Sequence, residues 1–208
     1  MIFLDALGTK GIWKRFKPSH VIKMWDAVIG FFKHSLDQNR VYLNVKPFFR
    51  ALSDTIIITI ASKPSYDIMS KTFDLLLQPF VQSIKTRILL CGIVSYGTYY
   101  LSERLIIGPA IDDAAEHHAK LNWIGISISP NLSIGVNDIS SDGVIHYKNI
   151  PHKKSYYMGF VLNWPNVYSN RECYQILLEE NKTADAASKI KYDNTFKFYH
   201  EVTNIKNN

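Results

Sequence analysis

Two aspartates stand at the ends of two apolar segments of the chain. Asp5 closes the apolar run of residues 1–5, and Asp54 opens the apolar run of residues 54–60. Each run has the length and composition of a β-strand, so each carboxylate would lie at a strand end, where it can stay hydrated. Carboxylate oxygens are the ligands that Mg²⁺ and Mn²⁺ prefer, and two such metals between adjacent strands could support phosphoryl or nucleotidyl transfer.

Arg50 precedes Asp54 by four residues, and the alternation of a strand places both side chains on one face. An arginine in line with a metal-binding aspartate can reach along the same cleft, where its planar donors suit a phosphate or the carbonyl oxygens of a base. A surface arginine at a strand end is the alternative. After Asp5, the chain passes through Gly8 into a polar, basic turn whose backbone N–H groups can hold phosphate oxygens.

Length and composition indicate one sizeable domain. The chain has 208 residues, of which 47% are apolar, enough for a real core. The formal net charge is +6. This balance is compatible with nucleic acid, an anionic surface or a polyphosphate ligand, and equally with a mildly basic soluble protein. Charged residues make up 20%, a slightly low share that points weakly to an oligomer.

Cysteine usage and hydropathy predict a cytoplasmic protein that does not associate with membranes. Cys91 and Cys173 lie far apart and lack metal-ligand spacing, which fits a reducing compartment. No basic segment precedes an apolar stretch at the N-terminus, as a signal peptide would require. The longest apolar runs, such as residues 88–91, have strand length and are too short to span a bilayer.

Helical and strand periodicities alternate along the chain. Strands are predicted at residues 1–5, 41–52, 55–61, 88–97, 105–108, 125–129, 144–148 and 156–163. Helices are predicted at residues 18–36, 65–83, 110–121, 171–178 and 184–202, and a loop at residues 131–143. This order predicts an α+β fold of ferredoxin-like character, with helices packed on one face of a mainly antiparallel sheet.

Two central segments make the pattern specific. Residues 91–97 read Cys-Gly-Ile-Val-Ser-Tyr-Gly, and residues 107–116 read Ile-Gly-Pro-Ala-Ile-Asp-Asp-Ala-Ala-Glu. Their order resembles the core of the class III nucleotidyl cyclases, and the Phe-x-Asp-x-x-Gly start and the Ser-Asp hairpin match the two metal-aspartate motifs of that family. The resemblance covers roughly residues 1–200. It is closest to the bacterial pyrimidine cyclases of the Pycsar antiphage systems.

The resemblance implies a domain plan and an assembly. Residues 1–165 would form a ferredoxin-like class III cyclase core, and residues 166–208 a C-terminal helical extension of the same domain. The high polar content of residues 184–202 predicts that the last helix is a partly separate arm. A homodimer with shared active sites is also implied. One subunit would supply the metal aspartates, and the other the base-reading strand and the helix after Gly108.

The resemblance also implies a reaction, in which the ribose 3′-oxygen attacks the α-phosphorus and yields a 3′,5′-cyclic nucleotide and pyrophosphate. Asp5 and Asp54 match the catalytic aspartates. Together with Ala6 they would hold two Mg²⁺ or Mn²⁺ ions per active site. The phosphate-holding turn of the family matches the positions Leu7, Gly8 and Thr9.

The base-reading positions of the family carry unusual residues here. Arg50 stands four positions before the second aspartate, where purine cyclases choose their base, and Leu105 aligns with their second base-reading position. A leucine cannot read a purine edge by hydrogen bonding. The pair of residues that usually selects adenine and the pair that usually selects guanine are therefore both absent. An arginine can donate to O2 or O4 of a pyrimidine. Because uracil offers two carbonyl acceptors and cytosine one, the substrate is expected to be UTP in preference to CTP.

Two helix positions depart from the family pattern. Asp112 and Glu116 stand where purine cyclases place an asparagine and an arginine that stabilise the transition state. Acidic groups cannot neutralise developing phosphate charge, so they would instead hold a base, a ribose or a basic partner such as Arg50. The missing positive charge would come from Lys10 or from the segment that carries Lys148 and the lysines at positions 153 and 154. For any one of these lysines, solvated loop charge is the alternative.

Two other functions stay open. The acidic residues at positions 112 and 116 are compatible with a degenerate cyclase-like module that only binds nucleotide or dimerises. The basic composition is compatible with a nucleic-acid-binding protein, but the chain lacks a basic stripe with interleaved aromatic residues. That function would also leave Asp5 and Asp54 unexplained, so no nucleic-acid partner is expected. Second-messenger production in antiphage defence is implied by the family likeness alone.

Overall fold

A computed structural model describes residues 1–7, 12–13, 15–39, 47–61, 66–133, 141–167 and 170–205 of the chain. The strands, numbered in chain order, are β1 Ile2–Ala6, β2 Phe48–Leu52, β3 Thr55–Thr59, β4 Leu90–Val94, β5 Tyr100–Leu101, β6 Ile106–Ile107, β7 Gly125–Ile128, β8 Val144–Pro151 and β9 Tyr156–Leu162. The helices are α1 Pro18–Gln38, α2 Tyr66–Lys85, α3 Pro109–His118, α4 Pro130–Ser133, α5 Asn170–Thr183 and α6 Ala186–Ile205. A 3₁₀ turn spans Trp164–Asn166.

Seven of these strands form one sheet in the order β2-β3-β1-β4-β7-β9-β8. Only the β4–β7 pair among them is parallel, so the predicted α+β fold with a mainly antiparallel sheet is confirmed. Strands β5 and β6 form a separate small hairpin. At the end of β1, Asp5 lies opposite Thr55 of β3 on one side and opposite Cys91 of β4 on the other.

One face of the sheet carries the main core. Strand β1 alternates buried Ile2, Leu4 and Ala6 with partly exposed Phe3 and Asp5, the period of a strand with two different faces. Helix α1 presents a buried stripe at the three- and four-residue spacing of a helix face. These side chains belong to one buried cluster together with apolar residues of α2.

Helix α3 covers the opposite face of β1 and β4. The ring of His118, at the helix end, lies 4.9 Å from the ring of Phe3. At the helix start, the Ser95 hydroxyl donates to the Ala110 carbonyl over 2.8 Å. Gly108 allows the chain to enter this helix, because its φ is 135° and a Cβ there would lie 2.8 Å from the Cα of Tyr99. Helix α3 therefore runs along the face that carries Asp5.

The C-terminal helices follow the core as predicted, but α6 is not separate from it. Its residues Tyr192, Thr195, Phe198, Tyr199 and Val202 are buried. A helix with polar residues on its outer face needs only a narrow apolar stripe to dock, which is why its overall polar content was misleading.

Several predicted boundaries differ from the structure by one to five residues, and the largest difference is at the end of the helix predicted at residues 171–178, which extends to Thr183. The predicted strand at residues 88–97 is shorter, at Leu90–Val94, and the one at residues 144–148 is longer, at Val144–Pro151. The predicted loop at residues 131–143 begins within the short helix α4. Residues 41–46, 65 and 134–140 of the predicted elements lie outside the described part of the chain. None of the helices in the described part is long and apolar enough to cross a membrane.

Candidate functional site

Strand β1 and the β2–β3 turn bring the two aspartates together. The N–H of Ala6 donates to the carbonyl oxygen of Asp54 over 2.9 Å, which joins the turn to the end of β1. The Thr55 hydroxyl donates to the Asp5 carboxylate over 3.2 Å. Ser53 makes the tight turn in the left-handed region, with a φ of 56°. The two carboxylates, 49 positions apart in the chain, thus stand at one edge of the sheet.

The electrostatics of Asp5 fit a cation site. Partial burial raises the pKa of Asp5 above its ordinary value, and the nearby charge of Asp54 raises it further. The Thr55 hydrogen bond and the charge of Lys191 oppose this rise. Two ionised carboxylates that interact in this way repel one another, and a divalent cation between them would offset both the repulsion and the burial cost.

The donor set fits Mg²⁺ or Mn²⁺ better than a structural metal. Within the described residues, no group of three or more His, Cys, Asp and Glu side chains is arranged to hold a metal. Mg²⁺ keeps several waters and is commonly bound by one or two carboxylates together with substrate phosphates. Asp5 and Asp54 would provide those carboxylates.

The turn after β1 has fewer available amide donors than the sequence predicts. The N–H of Ala6 is engaged with Asp54, and the N–H of Leu7 donates to the Leu89 carbonyl over 2.8 Å. A phosphate at this turn would have to use other donors. Gly8 and Thr9, predicted to contact phosphate, and Lys10 lie outside the described residues.

Arg50 lies against the turn that carries Leu105. Its guanidinium donates a short hydrogen bond to the carbonyl of Glu103 and lies 5.6 Å from the Phe48 ring. The N–H of Leu105 donates to the Ser102 hydroxyl over 3.1 Å, and the Leu105 side chain is 44% exposed. The two predicted base-reading residues therefore belong to one accessible surface.

Asp112 and Glu116 of α3 are exposed, and Glu116 has a basic partner just after the helix. Glu116 forms an ion pair of 2.6 Å with Lys120, and the hydrogen bond and charge of that lysine lower the pKa of Glu116. Asp112 lies in the first helical turn. In the described chain the basic partner of Glu116 is thus Lys120, whereas Arg50 contacts Glu103.

The aspartates and the start of α3 lie toward different ends of the sheet. Strand β4 runs antiparallel to β1, from Cys91 opposite Asp5 to Val94 opposite Ile2. The next residue, Ser95, bonds to both Met1 and Ala110, which fixes the start of α3 at the Met1 end. At about 3.3 Å per residue, that end lies roughly 13 Å from Asp5 along the strand. A single chain therefore separates Asp112, in the first turn of α3, from the aspartates.

Lys148 does not reach this site through any described contact. It is an exposed residue of β8, next to the irregular stretch between Tyr147 and Ile150. None of the hydrogen bonds or ion pairs among the described residues joins it to Asp5 or Asp54.

Sequence reasoning missed Lys191. Its positive charge acts on Asp5 and also on two neutral neighbours, the Cys91 thiol and the His118 ring. Burial raises the pKa of Cys91 to about 12 and lowers the pKa of His118 to about 4. Lys153, named above only as a loop lysine, acts on the same two groups. Only the observed docking of α6 reveals Lys191, because the local sequence is that of a polar helix.

Comparison with known proteins identifies the fold. No family model matches the sequence, and no curated protein matches it. The catalytic core of a rhodopsin-guanylyl cyclase with converted specificity, solved with ATPαS, superposes with a TM-score of 0.54 at 12% identity, over 77% of this chain and 92% of that chain. The guanylate cyclase domain of a Catenaria anguillulae protein, solved with GTP, superposes with a TM-score of 0.50 at 11% identity, over 77% and 92% of the two chains. The predicted class III cyclase core is confirmed as a fold.

Proposed function

We propose that this chain, which has the fold of a class III nucleotidyl cyclase catalytic domain, converts UTP, and less efficiently CTP, into the 3′,5′-cyclic nucleotide and pyrophosphate. The observation that carries the proposal is the pair of carboxylates, Asp5 and Asp54, joined at one edge of this fold by the Ala6–Asp54 hydrogen bond. The sequence resemblance to the Pycsar cyclases supports the further proposal that the product is a second messenger in antiphage defence.

The proposed reaction needs no protein nucleophile. The bond from the ribose 3′-oxygen to the α-phosphorus forms as the bond from that phosphorus to the bridging oxygen breaks. The electron pair leaves with pyrophosphate, and the 3′-hydroxyl proton passes to solvent. Asp5 and Asp54, with Ala6 beside them, would hold two Mg²⁺ or Mn²⁺ ions. Bound there, such ions would favour deprotonation of the hydroxyl and stabilise the phosphate charge.

The proposed base specificity comes from Arg50 and Leu105. The backbone carbonyl of Glu103 holds the Arg50 guanidinium in place, which leaves other N–H donors of its planar group for the carbonyl oxygens of a uracil. Leu105 offers only an apolar contact, and Asp112 would accept a hydrogen bond from base or ribose. A pyrimidine with two carbonyl acceptors suits this set better than a purine.

A turnover assay with the purified chain tests this function. With Mn²⁺ and each of the four nucleoside triphosphates in turn, we expect kcat/KM for UTP to exceed that for ATP or GTP by about tenfold or more, since one or two hydrogen bonds to a base are worth that much. Pyrophosphate release measures the rate. A clear preference for ATP would contradict the proposed base specificity, and no release from any nucleotide would contradict the activity.

The proposed active site is shared between two copies of the chain. One copy would supply Asp5 and Asp54, and the other would supply Arg50, Leu105 and the acidic residues of α3. The separation of Asp112 from the aspartates within one chain supports this assembly, as does the twofold symmetry that most homodimers have.

Mixing two variants, each impaired in a different half of the site, tests whether the site is shared. Asp5→Asn removes the metal half and Arg50→Ala the base half. A mixed dimer has one intact site, so random exchange of subunits should restore about one quarter of wild-type activity. Each variant alone serves as the control. Recovery no greater than the sum of the two separate variants would show that each chain acts alone.

A degenerate nucleotide-binding module is the second candidate. It is favoured by the acidic character of α3, where Glu116 already pairs with Lys120. This candidate predicts that UTP binds in the presence of Mn²⁺ without pyrophosphate release, an outcome that the same assay distinguishes when binding is measured beside turnover.

A further inference from the structure

The last helix is anchored next to the edge of the sheet that holds the aspartates. The Ile124 N–H donates to the Thr195 hydroxyl over 2.8 Å, and the Asn194 side-chain amide donates to the Asn122 carbonyl over 2.8 Å. Ile124 leads directly into β7, whose first residue, Gly125, lies beside Cys91 of β4. Cys91 in turn lies opposite Asp5. Three adjacent strands thus place α6 and Asp5 at one end of the sheet.

Lys191 lies one helical turn before this anchor. Its carbonyl accepts a hydrogen bond from the Thr195 hydroxyl over 2.7 Å, and the same hydroxyl accepts the Ile124 N–H that docks the helix, so the backbone of Lys191 is tied to this docking point. The lysine is half-buried. Its charge acts on Asp5, Cys91 and His118, which lie on the face of the sheet covered by α3. The helix therefore presents a cation to the Asp5 edge.

Lys153 approaches the same place from the β8–β9 turn. Its N–H donates to the Lys120 carbonyl over 2.8 Å, and the Asn122 N–H donates to the Pro151 carbonyl over 2.9 Å. The β8–β9 turn and α6 thus dock on one short segment, residues 120–124. The charge of Lys153 acts on Cys91 and His118 as that of Lys191 does.

Lys191 brings positive charge to Asp5, and Lys153 brings it to Cys91 and His118 beside it. Lys120 is paired with Glu116, whereas none of the ion pairs among the described residues involves Lys191 or Lys153. His118 is neutral at physiological pH, because burial lowers its pKa to about 4. Two cationic side chains at the same end of the sheet as two carboxylates are suited to a ligand that carries both an anion and its counter-cations. A metal-bound polyphosphate has that composition.

We propose that Lys191, with Lys153 beside it, binds the phosphates of the nucleotide held at Asp5 and Asp54 of the same chain. The inference rests on the proposed function, because it concerns the triphosphate of that substrate. It assigns the positive charge that Asp112 and Glu116 cannot supply to two elements outside α3, one of them the C-terminal helix. Lysine suits this role as a point charge for phosphate.

Binding of inorganic tripolyphosphate in the presence of Mg²⁺, measured by calorimetry, tests the inference without turnover. Lys191→Gln should weaken binding by about tenfold or more, the usual effect of losing a charged hydrogen bond, and Lys191→Arg should restore most of it. Lys189→Gln is the matched control, since Lys189 is exposed on the same helix and the charge change is identical. Equal binding by Lys191→Gln and Lys189→Gln, or no binding by the wild-type chain, would overturn the inference.

Steady-state kinetics separate this inference from the proposed function. If the wild-type chain cyclises UTP, Lys191→Gln should raise KM at least about tenfold, whereas Lys189→Gln should leave KM within about twofold. If the wild-type chain releases no pyrophosphate but binds tripolyphosphate in a Lys191-dependent way, the cyclase function fails and the phosphate site stands. If turnover is normal and Lys191→Gln behaves as Lys189→Gln, the phosphate site fails and the cyclase function stands. Thermal melts of all variants confirm that each is folded.

Discussion

Replacing Asp5 with asparagine should lower cyclisation of UTP by at least about a thousandfold, because metal ions at such a site contribute several kcal/mol to the stabilisation of the transition state. The side chain keeps its size and an oxygen that can accept the Thr55 hydroxyl, so the local geometry should survive. The same loss is expected for Asp54→Asn. The assay is pyrophosphate release at saturating Mn²⁺.

The Asp5→Asn variant should be at least as stable as the wild type, although it loses activity. Burial and the neighbouring Asp54 raise the pKa of Asp5, which means that the folded state disfavours its charged form. A neutral amide removes that cost at neutral pH, so the urea midpoint should not fall. Asp26→Asn, an exposed position in α1, is the control for both measurements and should leave activity unchanged. An Asp5→Asn variant that retains activity would exclude Asp5 as a metal ligand.

Replacing Phe198 with alanine should destabilise the fold by about 3–5 kcal/mol, as for a fully buried large aromatic residue. Phe198 lies on α6 and is 0% exposed. Its ring contacts Trp123 at 5.0 Å and Tyr147 at 4.9 Å, both in edge-on geometry. Truncation leaves a cavity between α6 and the segment that leads into β7. Urea unfolding measures the loss.

Ile190→Ala provides the matched control on the same helix, because Ile190 is 53% exposed. It should change the free energy of unfolding by less than about 0.5 kcal/mol, as surface substitutions usually do. Equal effects of Phe198→Ala and Ile190→Ala would show that α6 does not contribute to the core. If α6 lost its contacts with the core, Lys191 would no longer be held near Asp5. Phosphate binding by the Phe198→Ala variant should then be weaker as well.

The sequence predicts the sheet, and the places of Asp5 and Asp54 near strand ends, for a simple physical reason. Alternating apolar runs define strands, and a carboxylate is stable only where such a run meets solvent, so Asp5 and Asp54 were confined to strand ends. The Ser53–Asp54 turn follows from two such runs separated by two residues. The alternation of apolar residues does not determine how the strands pair, because it does not specify which strands are neighbours in the sheet.

Long-range docking explains what the sequence did not predict. Lys191 becomes relevant only because Thr195 hydrogen-bonds to Ile124, a contact between residues 71 positions apart. No local pattern encodes that contact. The Leu7 amide was expected to be available for phosphate, but the register of β1 and β4 places it opposite Leu89, to whose carbonyl it donates a hydrogen bond. In both cases tertiary hydrogen bonds override the local interpretation.

The most direct measurement for the whole account is identification of the product by mass spectrometry after the purified chain is incubated with UTP and Mn²⁺. The account predicts 3′,5′-cyclic UMP and pyrophosphate in equal amounts, and neither product from the Asp5→Asn variant. Linear UMP with pyrophosphate, or UDP with phosphate, would show hydrolysis in place of ring closure and would contradict the account. The account would also be contradicted if the purified chain converted neither UTP nor any of the other three nucleoside triphosphates.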